Sequence, residues 1–434
     1  MTGTDPGPDP GAELRVGELV ELDVGPVAHG GHCVARLDGR VVFVRRALPG
    51  ERVTVRLTEV RPGSYCRGVA VEVLVADPER VEAPCRHFQR GCGGCDFQHA
   101  APELQRRLKA AVVAEQLRRL AGLDVEVEVA PLPGDGFGWR TRVRWGMADG
   151  RIGPRKARSE TVVGLSAAQP CLIAAPGLTE LALTVSPPAR RPARRTPPTG
   201  GDRRRGRTSG PEVLAVAPAR GEAIAAVTGA AAAPVVTERA FDRDFAVAAD
   251  GFWQAHPAAA DTLAAAVAAL IEPIGVRGGS GWDLYGGVGL FADVLAGLVG
   301  PDGSVVSVEG DRRAAELARE NLAASPQVQV RHASVEAALD ELPARVDVIV
   351  LDPPRAGAGP AVCRALAQRR PSLVVYVACD PAALARDTRV LLDSGYRLDS
   401  LAAFDCFPQT QHVECVAAFR PAEPPAGTDD HFAT

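Results

Sequence analysis

From Asp250 onward the sequence alternates short apolar runs with helix-like runs, and no other feature restricts the fold as much. PAAADTLAAAVAALIEPIG, LFADVLAGL, DRRAAELARENLAAS and PAALARDTRVLLDSG read as helices, while WDLY, SVVSVE, QVQVRHA, VDVIVLD and LVVYVA read as strands. Strands this short and uniformly apolar have no polar face to offer water, so they call for a parallel sheet covered by helices on both faces. The expectation is an α/β, doubly wound domain over residues 250–422. Ligands of such sheets bind in the crevice beyond the carboxyl ends of the strands, so functional residues are sought there.

The first strand runs into DLYGGVGL, Asp283 to Leu290. Gly286, Gly287 and Gly289 let the backbone pass close to a ligand, although the spacing is not the GxGxxG of dinucleotide enzymes. The second strand ends in Glu309, where a carboxylate can accept hydrogen bonds from ribose hydroxyls. Asp283, the glycine turn and Glu309 together resemble the nucleoside-binding half of a class I S-adenosylmethionine methyltransferase, with NAD binding as the rival. The fourth strand ends in Asp352-Pro-Pro-Arg355, whose prolines stiffen the pocket wall, and DPP here resembles the motif of methyltransferases acting on exocyclic amines. The fifth ends in Cys379, followed by Asp380 as N-cap and Pro381 at the first helical position. A thiol at a helix N-terminus is expected to have its thiolate stabilised by the helix dipole; the alternative is small core filling. Glu414 interrupts the apolar strand VECVAAF, a costly place for a carboxylate unless it faces a polar site, where it would serve as a general base. An edge strand facing water is the other reading.

Upstream, residues 12–76 alternate Val and Leu with polar positions between turn signals such as Asp38-Gly39 and Pro49-Gly50, the pattern of a small OB-like antiparallel barrel. Arg36, Arg40, Arg45, Arg46, Arg61 and Arg67 intersperse there with Phe43 and Tyr65, which suits single-stranded nucleic acid or a solvated strand face. Residues 77–249 are less regular. Pro102 to Leu120 forms a helix with Leu104, Leu108, Val112 and Gln116 on one side and Arg106, Arg107, Lys109, Arg118 and Arg119 elsewhere. Residues 186–210 hold eight arginines, many prolines and no large apolar side chain, so they are expected to be a disordered loop. Residues 1–11 and 423–434 read as flexible tails.

Net charge is -4, so any nucleic-acid surface must be a local basic patch. The arginine bias, against only two lysines (Lys109 and Lys156), also reflects a GC-rich composition. No run of about 18 apolar residues and no signal-like start occur, so the expected location is the cytoplasm, with no membrane partner. In that reducing setting the ten cysteines are read by spacing. Cys85, Cys92 and Cys95 share one glycine-rich loop, and Cys171 lies downstream; four thiolates match either a tetrahedral zinc or a [4Fe–4S] cluster.

Taken together, the barrel, CGGCDFQH, GFWQ, DLYGGVG, LDPPR, YVACDP, LARD and FPQTQHVE resemble, in order and over nearly the whole chain, the RNA uridine-5-methyltransferase family. The resemblance implies an N-terminal TRAM barrel, a central α+β domain bearing a [4Fe–4S] cluster and a C-terminal class I methyltransferase domain. It also implies Cys379 as nucleophile, Glu414 as base, S-adenosylmethionine contacts from Gln254, Tyr285, Glu309 and Asp352, and cluster ligation by Cys85, Cys92, Cys95 and Cys171. The implied partner is ribosomal or transfer RNA, handled by a monomer. Three departures stand out: Asp380 where the family often has Asn, His256 where it has Asn in FxQxN, and a gap of six residues between Cys85 and Cys92. An amine-directed RNA methyltransferase using DPPR, or a non-catalytic RNA-binding protein, remains the alternative.

Overall fold

The computed structural model describes residues 14–186, 210–229 and 232–422. The terminal tails, and all of the arginine-rich stretch except Ser186 and Gly210, lie outside them. Five strands open the chain: β1 (Leu19–Ala28), β2 (His32–Leu37), β3 (Arg40–Arg45), β4 (Arg52–Val60) and β5 (Tyr65–Val75). They close into a barrel in the order β1-β2-β3-β5-β4. Alternate side chains point inward, so Leu22, Val24, Val42, Val44, Val53, Val55 and Leu57 fill the interior. The β2–β3 hairpin turns on Asp38 and Gly39, both at positive φ (48° and 81°), as a two-residue Asp-Gly loop requires.

After the short α1 (Arg86–Gln89), the helix α2 (Pro102–Gln116) starts with proline in its first turn, and a wider turn, Leu117–Ala121, ends at Gly122 in the left-handed conformation. Leu104, Leu108, Val112 and Gln116 are buried, as the spacing predicts. Lys109 is also buried, contrary to its expected place among the helix's outer basic residues. Its Nζ donates to Asp405 Oδ1 at 2.5 Å and to the Phe407 carbonyl at 3.1 Å, and burial without that partner would be prohibitive. The strand β6 (Val129–Pro131) follows. A four-stranded sheet then combines β7 (Arg142–Ala148), β8 (Arg151–Gly153), β9 (Glu212–Val216) and β10 (Ile224–Val227), with α3 (Leu178–Leu183) packed on it. The hairpin of β11 (Val235–Ala240) and β12 (Arg243–Ala248) leads into the last region.

That region contains α4 (Ala259–Ile271), β13 (Ser280–Leu284), α5 (Leu290–Val299), β14 (Ser304–Glu309), α6 (Arg312–Asn321), β15 (Val328–His332), α7 (Val335–Ala338), β16 (Val348–Leu351), α8 (Gly359–Gln368), β17 (Leu373–Ala378), α9 (Pro381–Asp393), β18 (Tyr396–Asp405) and β19 (Glu414–Pro421). The sheet runs β15-β14-β13-β16-β17-β19-β18-β6. From β15 to β17 the pairs are parallel, as the apolar strands predict, and β16 and β17 are buried along their whole length. Beyond β17 the sheet departs from a purely parallel one. β19 is antiparallel to both its neighbours, and β6, from upstream, pairs with β18 at the edge. One core holds Val113, Leu117 and Val129 together with Leu351, Tyr376 and Phe419, so α2 and β6 cross the division at residue 250. Among the described residues no helix is long and apolar enough to cross a membrane.

Candidate active site

The carboxyl ends of β13 and β14 build the first half of the site. Asp283 is fully buried; its Oδ2 accepts the Ser307 hydroxyl at 3.0 Å and the Ala292 amide at 3.1 Å, while Oδ1 has no partner among the described residues. Burial pushes this carboxyl up to about 7, opposed by those two hydrogen bonds and assisted by the charge of Glu309. Gly286 follows, and a Cβ there would stand 2.2 Å from Ser307 Oγ and 2.6 Å from Asp283 Oδ2, so only glycine fits. Gly287, at φ 55°, faces open space. Tyr285 holds the left-handed conformation at φ 62°, a sparsely populated one for an aromatic residue. Glu309 accepts the Gly287 amide through one oxygen at 2.8 Å and the Asp311 amide through the other at 2.6 Å. Each carboxylate oxygen keeps a second lone pair for a ligand hydroxyl. Gln254 is buried just before α4, next to Trp253, whose ring packs on Phe245 at 5.4 Å.

The second half gathers at the ends of β16, β17 and β19. Ala378 pairs with Cys415, so the next step of the antiparallel register sets Cys379 opposite Glu414. Because β19 lies between β17 and β18, Glu414 is not at an edge and is only 4% exposed. Burial pushes its carboxyl well up, Asp352 adds to the push and the Arg355 guanidinium opposes it. Asp352 caps β16 with its amide bonded to the Leu284 carbonyl, and burial followed by the charge of Asp283 raises its carboxyl too. The structure thus brings Cys379, Glu414 and Asp352 together beside the glycine turn.

The environment of Cys379 corrects one expectation. Burial pushes the thiol up to about 12; Glu414, Asp352 and Asp380 reinforce the shift and Arg355 opposes it. The Asp380 side chain caps α9 by accepting the Ala383 amide at 2.8 Å, which takes up one of the orphan amides that would otherwise favour a thiolate. The helix end therefore does not outweigh burial and the neighbouring carboxylates.

Away from this crevice, Cys85, Cys92, Cys95 and Cys171 line one cavity of about 280 Å³ together with Arg140, Arg155, Lys156 and Arg158. Among the described residues, no group of three His, Cys, Asp or Glu side chains is arranged to hold a single metal ion. Trp139 packs in the core of Cys85 and Cys95, stacks on His256 at 6.1 Å and meets Phe407 edge-on at 5.9 Å. His256, the departure from the family's Asn, accepts the Ala258 amide on Nδ1 at 3.2 Å and so orders the start of α4.

Several residues near the crevice escaped the sequence reading. Arg355 was visible inside DPPR, yet only folding brings its charge near enough to favour ionisation of both Cys379 and Glu414. Asp387, in LARD, accepts the Tyr376 hydroxyl at 2.7 Å and the Ala358 amide at 2.8 Å, which ties down the loop after Asp352. His412 sits two residues before Glu414, and burial holds its ring neutral, with its pKa down to about 4. For His29, which reaches Asp380, local sequence carried no signal.

Sheet order, glycine turn and strand-end carboxylates define a class I methyltransferase fold joined to a small barrel. A TRAM domain family matches residues 13–71, and a tRNA (uracil-5-)-methyltransferase family matches residues 316–420. A Streptomyces coelicolor protein described as an uncharacterized RNA methyltransferase is 46% identical over 94% of each chain. The 23S rRNA (uracil(1939)-C(5))-methyltransferase of Pseudomonas putida is 33% identical over 94% of this chain and 95% of its own. The crystal structure of the Pyrococcus abyssi tRNA (uracil-54, C5)-methyltransferase covers 92% of this chain and 100% of its own, with 23% identity and a TM-score of 0.64, a likeness of fold. The chain belongs to the TRAM-bearing, S-adenosylmethionine-dependent RNA (uracil-5-)-methyltransferase family.

Proposed function

We propose that this protein forms 5-methyluridine in RNA, with Cys379 as nucleophile and Glu414 as base. The observation that carries the reading is the register of β17 and β19, which sets a thiol opposite a buried carboxyl beside the glycine turn. Carbon 5 of uracil is a poor nucleophile. Addition of the Cys379 thiolate to carbon 6 forms a C–S bond and moves the electron pair toward carbon 5. S-adenosylmethionine, when bound, supplies an electrophilic methyl group for that carbon. Glu414 then takes the proton from carbon 5, and the returning electron pair expels the thiolate. Both groups act only in their ionised forms: burial and the neighbouring carboxylates oppose ionisation of Cys379 and Glu414 at rest, and the Arg355 charge favours it. Arg355 is the cation placed to favour that thiolate.

The cofactor fits the first half of the site. Asp283 Oδ1, without a partner among the described residues, is free for a polar atom of the ligand, Gly287 opens space for close approach, and Glu309 retains lone pairs for ribose hydroxyls. Gln254, Tyr285 and Asp352 complete the proposed contact set. A [4Fe–4S] cluster would be held by Cys85, Cys92, Cys95 and Cys171, a reading supported by the one cavity these cysteines line, and the cations that share the lining would offset thiolate charge. That cluster would tie the loop of the first three cysteines to Cys171. The RNA to test first is 23S rRNA, on which the Pseudomonas putida relative acts.

Cys379→Ala should abolish methyl transfer to RNA from labelled S-adenosylmethionine; retained transfer would sink the uridine reading in favour of an amine-directed enzyme. Glu414→Gln should still add and methylate but fail to release, leaving a denaturant-stable protein–RNA adduct on gels. Absence of that adduct, with free methylated product instead, would remove Glu414 from the role of base. Anaerobically purified protein should show the visible absorption of an iron–sulfur cluster, and a colourless zinc protein would overturn that assignment.

A further inference from the structure

The barrel touches the residue next to the proposed nucleophile. Its β1–β2 turn ends in Gly31 at φ 72°, where a Cβ would stand only 2.6 Å from Gln411 Cβ, so the turn's backbone lies against the segment leading to Glu414. Asp96 fastens this contact by accepting the Gln411 amide at 3.2 Å and the Arg45 guanidinium of β3 at 2.9 Å. In the same turn, His29 Nε2 lies 2.9 Å from Asp380 Oδ2, across 351 positions of sequence. Asp380 therefore has one oxygen on the helix it caps and the other on the barrel. A carboxylate beside a thiol opposes its ionisation, so whatever fixes and neutralises Asp380 favours the Cys379 thiolate.

We propose that His29 is a positioning residue for the nucleophile: by holding and partly neutralising Asp380, it makes seating of the barrel turn set the reactivity of Cys379. The inference rests on the reading of Cys379 as nucleophile. The hydrogen bond to Asp380 raises the His29 pKa above 6.5, against desolvation and the Arg386 charge and with help from Glu115. Burial pushes Asp380 up, but the hydrogen bonds from His29 and Ala383, with Arg386, hold it below its ordinary range. The sign follows. The imidazolium charge is fully present below the ordinary histidine pKa and is lost as pH rises through the raised value, so the influence of His29 on the thiol is largest in mild acid.

The test is peptide-resolved alkylation of Cys379 by iodoacetamide in the full chain, without RNA, from about pH 6 to about pH 9. His29→Ala should slow alkylation roughly two- to fivefold at the acid end, the range of a part-exposed ion pair, with the gap narrowing as pH rises. In an Asp380→Asn background the same substitution should have no effect, because its influence passes through the carboxylate. His29→Gln should keep the pH-independent part alone. Equal slowing in both backgrounds would mean that His29 merely seats the barrel, and no slowing in either would also overturn the proposal. Because alkylation needs no methyl transfer, its outcome is separate from that of Cys379→Ala in the RNA assay.

Discussion

Single residues at the ends of β13, β16, β17 and β19 carry unusual charge. Asp283, Asp352 and Glu414 are all held above the ordinary carboxyl range by burial, and Cys379 is pushed up beside them. Such clustering of shifted groups marks a place where protons move. It also has a stability consequence. Asp283 shifts from 3.8 to about 7 on folding, so the folded chain retains a proton that the unfolded chain has released in that window, and stability falls as pH rises through it. Asp283→Asn can keep the Ser307 and Ala292 hydrogen bonds through its amide oxygen. Its melting temperature relative to the parent should therefore rise from about pH 4 to about pH 7 and then level off. A difference independent of pH, measured by calorimetry without ligand, would show that Asp283 does not titrate in the folded state.

At the scale of elements, the turn between β13 and α5 is the tightest constraint. Glycine at 286 is required by contact with Asp283 and Ser307, whereas glycine at 287 is required by its φ and leaves space. Gly286→Ala should cost about 1–3 kcal/mol in denaturant unfolding and weaken S-adenosylmethionine binding, because relief of the clash moves the strand-end carboxylate. Unchanged stability with unchanged binding would show that the turn relaxes freely. The loop from Asp352 to Ala358 is held differently, by Asp387 and Tyr376 of the neighbouring elements. Asp387 therefore fixes the far end of this loop, which the prolines alone do not hold.

Over the whole molecule, the buried pair Lys109–Asp405 joins α2 to the end of β18, and Asp405 lies opposite Pro131 of β6. Removing the cation while leaving Asp405 buried should cost about 3–5 kcal/mol, so Lys109→Ala should unfold at markedly lower denaturant, whereas Lys109→Met with Asp405→Leu should recover much of the loss. The sequence by itself determined the run of parallel strands β15 to β17, the closed barrel's strands, the glycine turn and the grouping of Cys85 with Cys92 and Cys95. Each of these follows from a local signal: period-two or fully apolar runs, glycine and proline punctuation, or short spacing. Tertiary structure alone decided that β19 inserts antiparallel between β17 and β18, which sets Glu414 opposite Cys379. It also decided that Lys109 is buried, that the charge of Arg355 acts on the thiol and that His29 reaches Asp380. An apolar face or a charge states in sequence that it needs a partner. Which partner it finds depends on how distant segments are brought together, and no local pattern of residues carries that information.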